Sequence, residues 1–300
     1  MLKNIFITGS TGFVGINCVS YFKNDFLFNT YNRNQKDIFI NDDIVLHFAG
    51  KAHDLHNTFC NDEYYEVNTD LTKKIYDIFL LSDAKVFIFL SSVKAVTDEI
   101  NDVLTEEFIP NPVTHYGKSK LMAEQYILAK KIPLGKRIYI LRPCMIHGPG
   151  NKGNLNLLYK FVNKGLPWPL GLFENKRSFC SIDNLCIIIN ELINNDKVPS
   201  GVYNIADDDS LSTNELITLI SESQGKNSNI SNIPKFFINN LAKLGDLLKL
   251  PINSERLNKL TETYIVSNNK IKNAINKPLP LTTNEGLLKT FDSFNKMISH

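Results

Sequence analysis

The N-terminal stretch constrains this chain most. Leu2 to Thr8 (Leu-Lys-Asn-Ile-Phe-Ile-Thr) reads as a short apolar strand. Gly9-Ser10-Thr11-Gly12-Phe13-Val14-Gly15 follows as a glycine turn, and Ile16 to Phe22 opens a helix. Strand, glycine turn and helix in that order make a credible dinucleotide site. Glycines let the backbone approach a pyrophosphate, and the helix N-terminus offers free N–H groups with partial positive charge. The spacing is G-x-x-G-x-x-G rather than G-x-G-x-x-G, so a purely structural turn is the competing interpretation. On the favoured one, Gly9, Thr11, Gly12, Phe13, Val14 and Gly15 contact the cofactor.

Apolar runs and helical spacings alternate after this turn. Strands are expected at Leu27 to Tyr31, Asp43 to Phe48, Val86 to Leu90 and Arg137 to Leu141, with helices at Tyr64 to Leu81 and Lys118 to Lys130. Alternation of this kind predicts an α/β fold with a Rossmann-like, doubly wound parallel sheet. Ligands on such sheets gather at the carboxyl ends of the strands. Gly12, Ala49, Gly50, Ser92 and Pro143 fall at those ends, as does the loop leading to Tyr116. The second strand ends in Tyr31-Asn32-Arg33-Asn34-Gln35-Lys36, where an acidic residue would hold the adenosine ribose of NAD. Without that carboxylate, and with Arg33 and Lys36 able to neutralise a 2′-phosphate, NADP(H) is favoured and NAD(H) is the alternative.

Tyr116-Gly117-Lys118-Ser119-Lys120 places a tyrosine and a lysine at i and i+4, one above the other on a helix. A nearby ammonium favours the phenolate, so Lys120 is expected to lower the Tyr116 pKa and fit the phenol for acid–base work. Beyond Pro143 the pattern changes. A turn-rich exit around His147 to Asn154 and a proline-bounded segment, Leu166 to Gly171, are followed by strands at Phe179 to Asp183 and Gly201 to Ala206. Ser212 to His300 is mainly helical. The expected division is a dinucleotide-binding domain over 1–150 and a smaller substrate-binding lobe over 151–300, with segments near 182–206 returning to the main sheet.

Composition excludes several classes. A net charge of +2 argues against nucleic-acid binding or a polybasic membrane surface. Apolar runs are too short to span a bilayer and no signal peptide precedes the first strand, so a cytoplasmic protein without membrane insertion is expected. The five cysteines are scattered and read as reduced core thiols. His53 and His56 lack the company of a metal site, so no metal is expected.

Gly9-x-x-Gly12-x-x-Gly15, Ser92, Tyr116-x-x-x-Lys120 and Arg142-Pro143 with Gly148-Pro149-Gly150 together resemble the extended short-chain dehydrogenase/reductase family, among its nucleotide-sugar epimerases, dehydratases and reductases. The resemblance extends over essentially the whole chain. It implies that Tyr116 is the catalytic acid/base, with Lys120 lowering its pKa and holding the nicotinamide ribose. Ser92 would hydrogen-bond the same sugar oxygen. Asn154 would contact the nucleotide part of the substrate, Arg177 its diphosphate, and Lys94 the substrate pocket. Family dehydratases carry Thr-Asp-Glu where this chain has Ser92-Val93-Lys94, so elimination of water is not expected. Ser91-Ser92-Val93-Lys94 and the Pro169-Leu170-Gly171 … Lys176-Arg177-Ser178 pattern look more like a subgroup from bacterial surface-polysaccharide pathways. It implies NADPH-dependent reduction at C4 of a UDP-4-keto-6-deoxy-N-acetylhexosamine. The alternatives are a UDP-hexose or UDP-N-acetylhexosamine 4-epimerase and, from another class, a non-catalytic nucleotide-binding regulator. Pairing of the Tyr64 and Lys118 helices into a four-helix bundle would make a homodimer.

Overall fold

The computed structural model describes residues 2–33, 37–52, 61–100, 102–151, 153–248 and 253–298; His53, His56, Cys60 and Lys36 lie outside them. The first half runs β1 (Lys3–Thr8), α1 (Phe13–Phe22), β2 (Phe26–Thr30), β3 (Ile44–His47), α2 (Asn61–Tyr65), a π-helical turn (Glu66–Asp70), α3 (Leu71–Leu81), β4 (Val86–Leu90), a 3₁₀ turn (Val93–Ala95), β5 (Val103–Leu104), α4 (His115–Ala129) and β6 (Arg137–Pro143). The second continues with β7 (Met145–His147), α5 (Asn154–Asn163), β8 (Arg177–Ser181), α6 (Ile182–Asn194), β9 (Gly201–Ile205), β10 (Ser210–Leu211), α7 (Thr213–Ser223), α8 (Lys235–Leu248), α9 (Ser254–Thr261), β11 (Ile265–Val266), α10 (Asn269–Ile275) and α11 (Thr283–Ile298).

Six strands pair in the order β2-β1-β3-β4-β6-β9, all parallel. Both faces are covered, which is why β4, and β3 up to its last residue His47, are apolar without alternation, and both are buried at every residue. Ile5, Ile7, Val86 and Ile88 meet α1, α6 and α10 on one face. Phe6, Val45, Phe87 and Phe89 meet α3 and α4 on the other. The period-two alternation of strand side chains assigns neighbouring residues to opposite layers. The chain leaves β1 for β2 on one side and returns to β3 on the other, so strand order reverses between β1 and β3. That is where an open α/β sheet forms a ligand crevice.

The second half departs from the expected boundaries. The strand anticipated at Phe179 to Asp183 begins at Arg177 and ends at Ser181, because it pairs with β7 and β10 in a separate three-stranded sheet. Gly201–Ile205 joins the main sheet beside β6. A third apolar cluster unites Tyr159, Trp168, Phe179, Ile217, Ile220 and Phe291 from α5, β8, α7, α11 and the Trp168 segment. No helix among the described residues is long and apolar enough to cross a membrane.

Candidate active site

The glycine turn closes the crevice through backbone contacts that leave no room for side chains. Gly9 has φ +72°, and a Cβ there would lie 2.6 Å from the Ala49 nitrogen. At Gly15 a Cβ would lie 2.2 Å from the Gly9 carbonyl oxygen, so helix α1 can approach β1 only with glycine at that position. Gly12 begins α1 with no side-chain cap and no acidic residue in the first turn, leaving the helix N-terminus suited to an anion. Gly15→Ala is therefore expected to weaken dinucleotide binding at least ~10-fold, as a loss of about 1.4 kcal/mol. Isothermal titration with NADPH and NAD checks it.

After β3 the loop carrying Ala49, Gly50 and Lys51 is held by a chain of hydrogen bonds. The Ala49 N–H donates to Thr8 Oγ1 at 3.1 Å. Thr8 Oγ1 lies 2.7 Å from His47 Nδ1, and His47 Nε2 lies 2.8 Å from Thr72 Oγ1. The Thr72 hydroxyl donates to the Asn68 carbonyl at 2.7 Å. With the Thr72 proton so used, His47 must donate from Nε2 and accept from Thr8 at Nδ1. Burial, with a smaller contribution from Lys120, holds its pKa down at about 3, so the ring is neutral. Asn68 Nδ2 donates to the Lys51 carbonyl at 3.0 Å and to Ser119 Oγ at 2.9 Å. Ser119 in turn donates to the Tyr116 carbonyl at 2.8 Å. The end of β1, the Ala49 loop and α4 are thus one hydrogen-bonded unit.

Helix α4 starts three residues before the expected Lys118 because Thr114 caps it, its hydroxyl accepting from the Gly117 N–H at 3.2 Å. Asp98 holds that cap, accepting from the Val113 N–H at 2.7 Å and from the Thr114 hydroxyl at 3.0 Å. Tyr116, Lys120 and Glu124 then lie along one stripe of the helix. Tyr116 is hydrogen-bonded to Ser92, which sits just past the end of β4. Burial raises the Tyr116 pKa and the Ser92 bond opposes that rise. The expectation that Lys120 lowers it is corrected here: the Lys120 ammonium donates to the Leu90 carbonyl at 2.8 Å and is not among the causes of the Tyr116 shift. Burial lowers Lys120 itself to about 8, against the upward pull of Glu124. A Cβ on Gly50 would lie 2.9 Å from Lys120 Nζ and 3.1 Å from Asn68 Oδ1, so the glycine lets the Ala49 loop lie close against the Lys120 ammonium.

Beneath this stripe Glu124 is fully buried, taking Arg142 Nε at 3.0 and 3.1 Å and the Ser91 hydroxyl. Sequence inspection passed over Glu124, Asn68, His47 and Asp98. An acidic residue on an otherwise buried helical stripe was the available signal for the first.

Two of the expected substrate residues share a cleft in the second half of the chain. Asn154 and Arg177 line one cleft with Met145, Leu155, Phe179 and Leu260. The Arg177 guanidinium is ion-paired with Glu262, a partner 85 positions away that spacing does not reveal. Lys94 donates to the Asp98 carbonyl at 2.7 Å and lies 4.0 Å from the centre of the Tyr264 ring. Asn32 and Arg33 are exposed just beyond β2, and Pro143 ends β6.

Residues 5–206, more than half the chain, match the family model described as "NAD dependent epimerase/dehydratase family". The chain belongs to this family. It is accordingly an enzyme, and the glycine turn, the uncapped N-terminus of α1 and the Lys120 ammonium fit the nicotinamide dinucleotide of the family's description. A UDP-glucose 4-epimerase of Vibrio cholerae is 29% identical, over 98% of this chain and 96% of the relative. An N-acetyl-alpha-D-glucosaminyl-diphospho-ditrans,octacis-undecaprenol 4-epimerase of Escherichia coli O157:H7 is 27% identical, over 75% of this chain and 74% of the relative. Among solved structures, RMD from Pseudomonas aeruginosa complexed with NADPH superposes with a TM-score of 0.76 at 19% identity, covering 99% of each chain. MoeE5 in complex with UDP-glucose and NAD gives 0.75 at 16%, covering 99% of this chain and 100% of that one. At these identities the solved structures speak for the fold, the extended short-chain dehydrogenase/reductase architecture.

Proposed function

We propose that this enzyme carries out oxidation or reduction at C4 of a sugar diphosphate, with Tyr116 exchanging the proton at the C4 oxygen. The pairing of Tyr116 with Ser92, just past the carboxyl end of the central strand β4, carries this proposal. The nicotinamide cofactor, when bound, supplies or accepts the hydride. Ser92 donates a hydrogen bond to the oxygen on which charge develops, and Tyr116 gives or takes its proton. Lys120 would hold the cofactor ribose through its ammonium. Asn154 and Arg177 orient the nucleotide and diphosphate from their shared cleft.

For the direction we favour NADPH-dependent reduction of a UDP-4-keto-6-deoxy-N-acetylhexosamine, because β2 ends in Tyr31-Asn32-Arg33 without a carboxylate. The likeness to the Vibrio cholerae 4-epimerase supports a second direction, 4-epimerisation with the cofactor regenerated in each turnover. The Escherichia coli relative's name places its sugar on a lipid diphosphate rather than on UDP. Both carriers present the same sugar diphosphate to Arg177, so a lipid-linked substrate fits the same chemistry.

Purified protein separates the two directions. A reductase is isolated with little bound nucleotide and consumes one NADPH per keto-sugar. An epimerase retains NAD and equilibrates two UDP-sugars with no cofactor added. Retained NAD with interconversion would overturn reduction, and activity towards neither substrate would overturn C4 chemistry.

A further inference from the structure

Helix α8 turns its apolar side outward. Phe236, Phe237, Leu241, Leu244, Leu247 and Leu248 are between 48% and 79% exposed, while only Ala242 and Gly245 of this helix are buried. At 3.6 residues per turn the six exposed side chains cover an arc of roughly 140°. An amphipathic helix of a globular protein ordinarily turns such an arc to the core. A contiguous outward patch of this kind marks an interaction surface.

The charge around the helix points to its occupant. From 226 to 259 the sequence has six basic residues (Lys226, Lys235, Lys243, Lys249, Arg256, Lys259) against two acidic ones (Asp246, Glu255), a net +4. The whole chain carries +2, so the remainder sums to −2. Aromatic and leucine side chains on one face of a helix within a basic segment are the pattern of a helix that lies in the interface of an anionic bilayer without spanning it. The inner side of α8 leads back to the site. Ile238 packs in the cluster that holds Leu216, Phe179 and Leu260. Those three residues line the cleft of Asn154 and Arg177.

We propose that the outer face of α8 docks this enzyme on an anionic phospholipid surface, presenting the Asn154–Arg177 cleft to substrate held at the membrane. The choice of a bilayer over another occupant rests on the lipid-diphosphate substrate form raised above. The test is read without turnover, so its outcome is separate from that reading. Full-length protein is floated with vesicles of phosphatidylglycerol and phosphatidylcholine, and with phosphatidylcholine alone. Binding to the anionic vesicles, weakened by salt, is expected. Replacing two exposed leucines of this face, Leu241→Glu/Leu244→Glu, should reduce vesicle affinity roughly 100-fold. Turnover of a soluble UDP-sugar, and the melting temperature, should stay unchanged. Absence of binding to anionic vesicles would overturn the proposal. So would a concentration-dependent dimer that the double variant splits, since the face would then be covered by a second copy of this chain.

Discussion

Tyr116→Phe will lower turnover by roughly 10²–10⁴-fold, the range general acid–base catalysis contributes, while cofactor affinity changes little. The ring keeps its place because α4 is fixed by the Thr114 cap and by Ser119. Only the hydroxyl that bonds Ser92 is removed. Steady-state kinetics with nicotinamide absorbance, beside titration of the cofactor, checks both parts. An unchanged kcat would return the chain to a nucleotide-binding regulator. A pH dependence accompanies this effect. Lys120 titrates near 8, below its ordinary 10.5, because it is buried. Its ammonium, and with it the proposed bond to the cofactor ribose, is lost as pH rises through 8. Stability runs the other way. Burying the charged form is a cost fully present below pH 8. That cost fades between about 8 and 10.5, where the unfolded chain still holds the proton that the folded chain has released.

Arg142→Leu will destabilise the fold by about 3–5 kcal/mol, because it leaves the Glu124 carboxylate buried without its cation. Arg142 and Glu124 are 6% and 0% exposed at their side chains, so water cannot replace the lost partner. For a chain of this size the melting temperature should fall on the order of 10 °C. The paired change Arg142→Leu/Glu124→Leu should recover most of that loss, since two apolar groups need no counter-charge. Thermal unfolding of the two variants beside the parent protein gives the answer. A midpoint unmoved by Arg142→Leu would show that the pair contributes nothing.

What was legible in the sequence was the part written in local pattern. Val86–Leu90 was read at its true ends, because a strand covered on both faces must be apolar throughout. Strand β1 and the glycine turn were legible because close backbone approach at Gly9 and Gly15 admits no other residue. The π-helical turn at Glu66–Asp70 was not legible. It lies where Asn68 and Thr69 reach across to Ser119, 51 and 50 positions on. The Thr8–His47–Thr72 bridge has the same character, each member polar and unremarked until the sheet brings them together. Arg177 stood out in the sequence as a match to a diphosphate-binding position, but its pairing with Glu262 comes from the fold of the second half. The outward face of α8 was hidden for another reason. Periodicity reports that a helix is amphipathic and not which side meets the protein.

The central claim is that hydrogen moves between the nicotinamide and C4 of a sugar diphosphate beside Tyr116. Deuterium-labelled NADPH, incubated with the enzyme and a UDP-4-keto-6-deoxy-N-acetylhexosamine, tests it most directly, with the label located in the product by NMR. One deuterium at C4 of the sugar, absent with Tyr116→Phe, is the predicted result. Label at another carbon, or label at C4 undiminished in Tyr116→Phe, would contradict it.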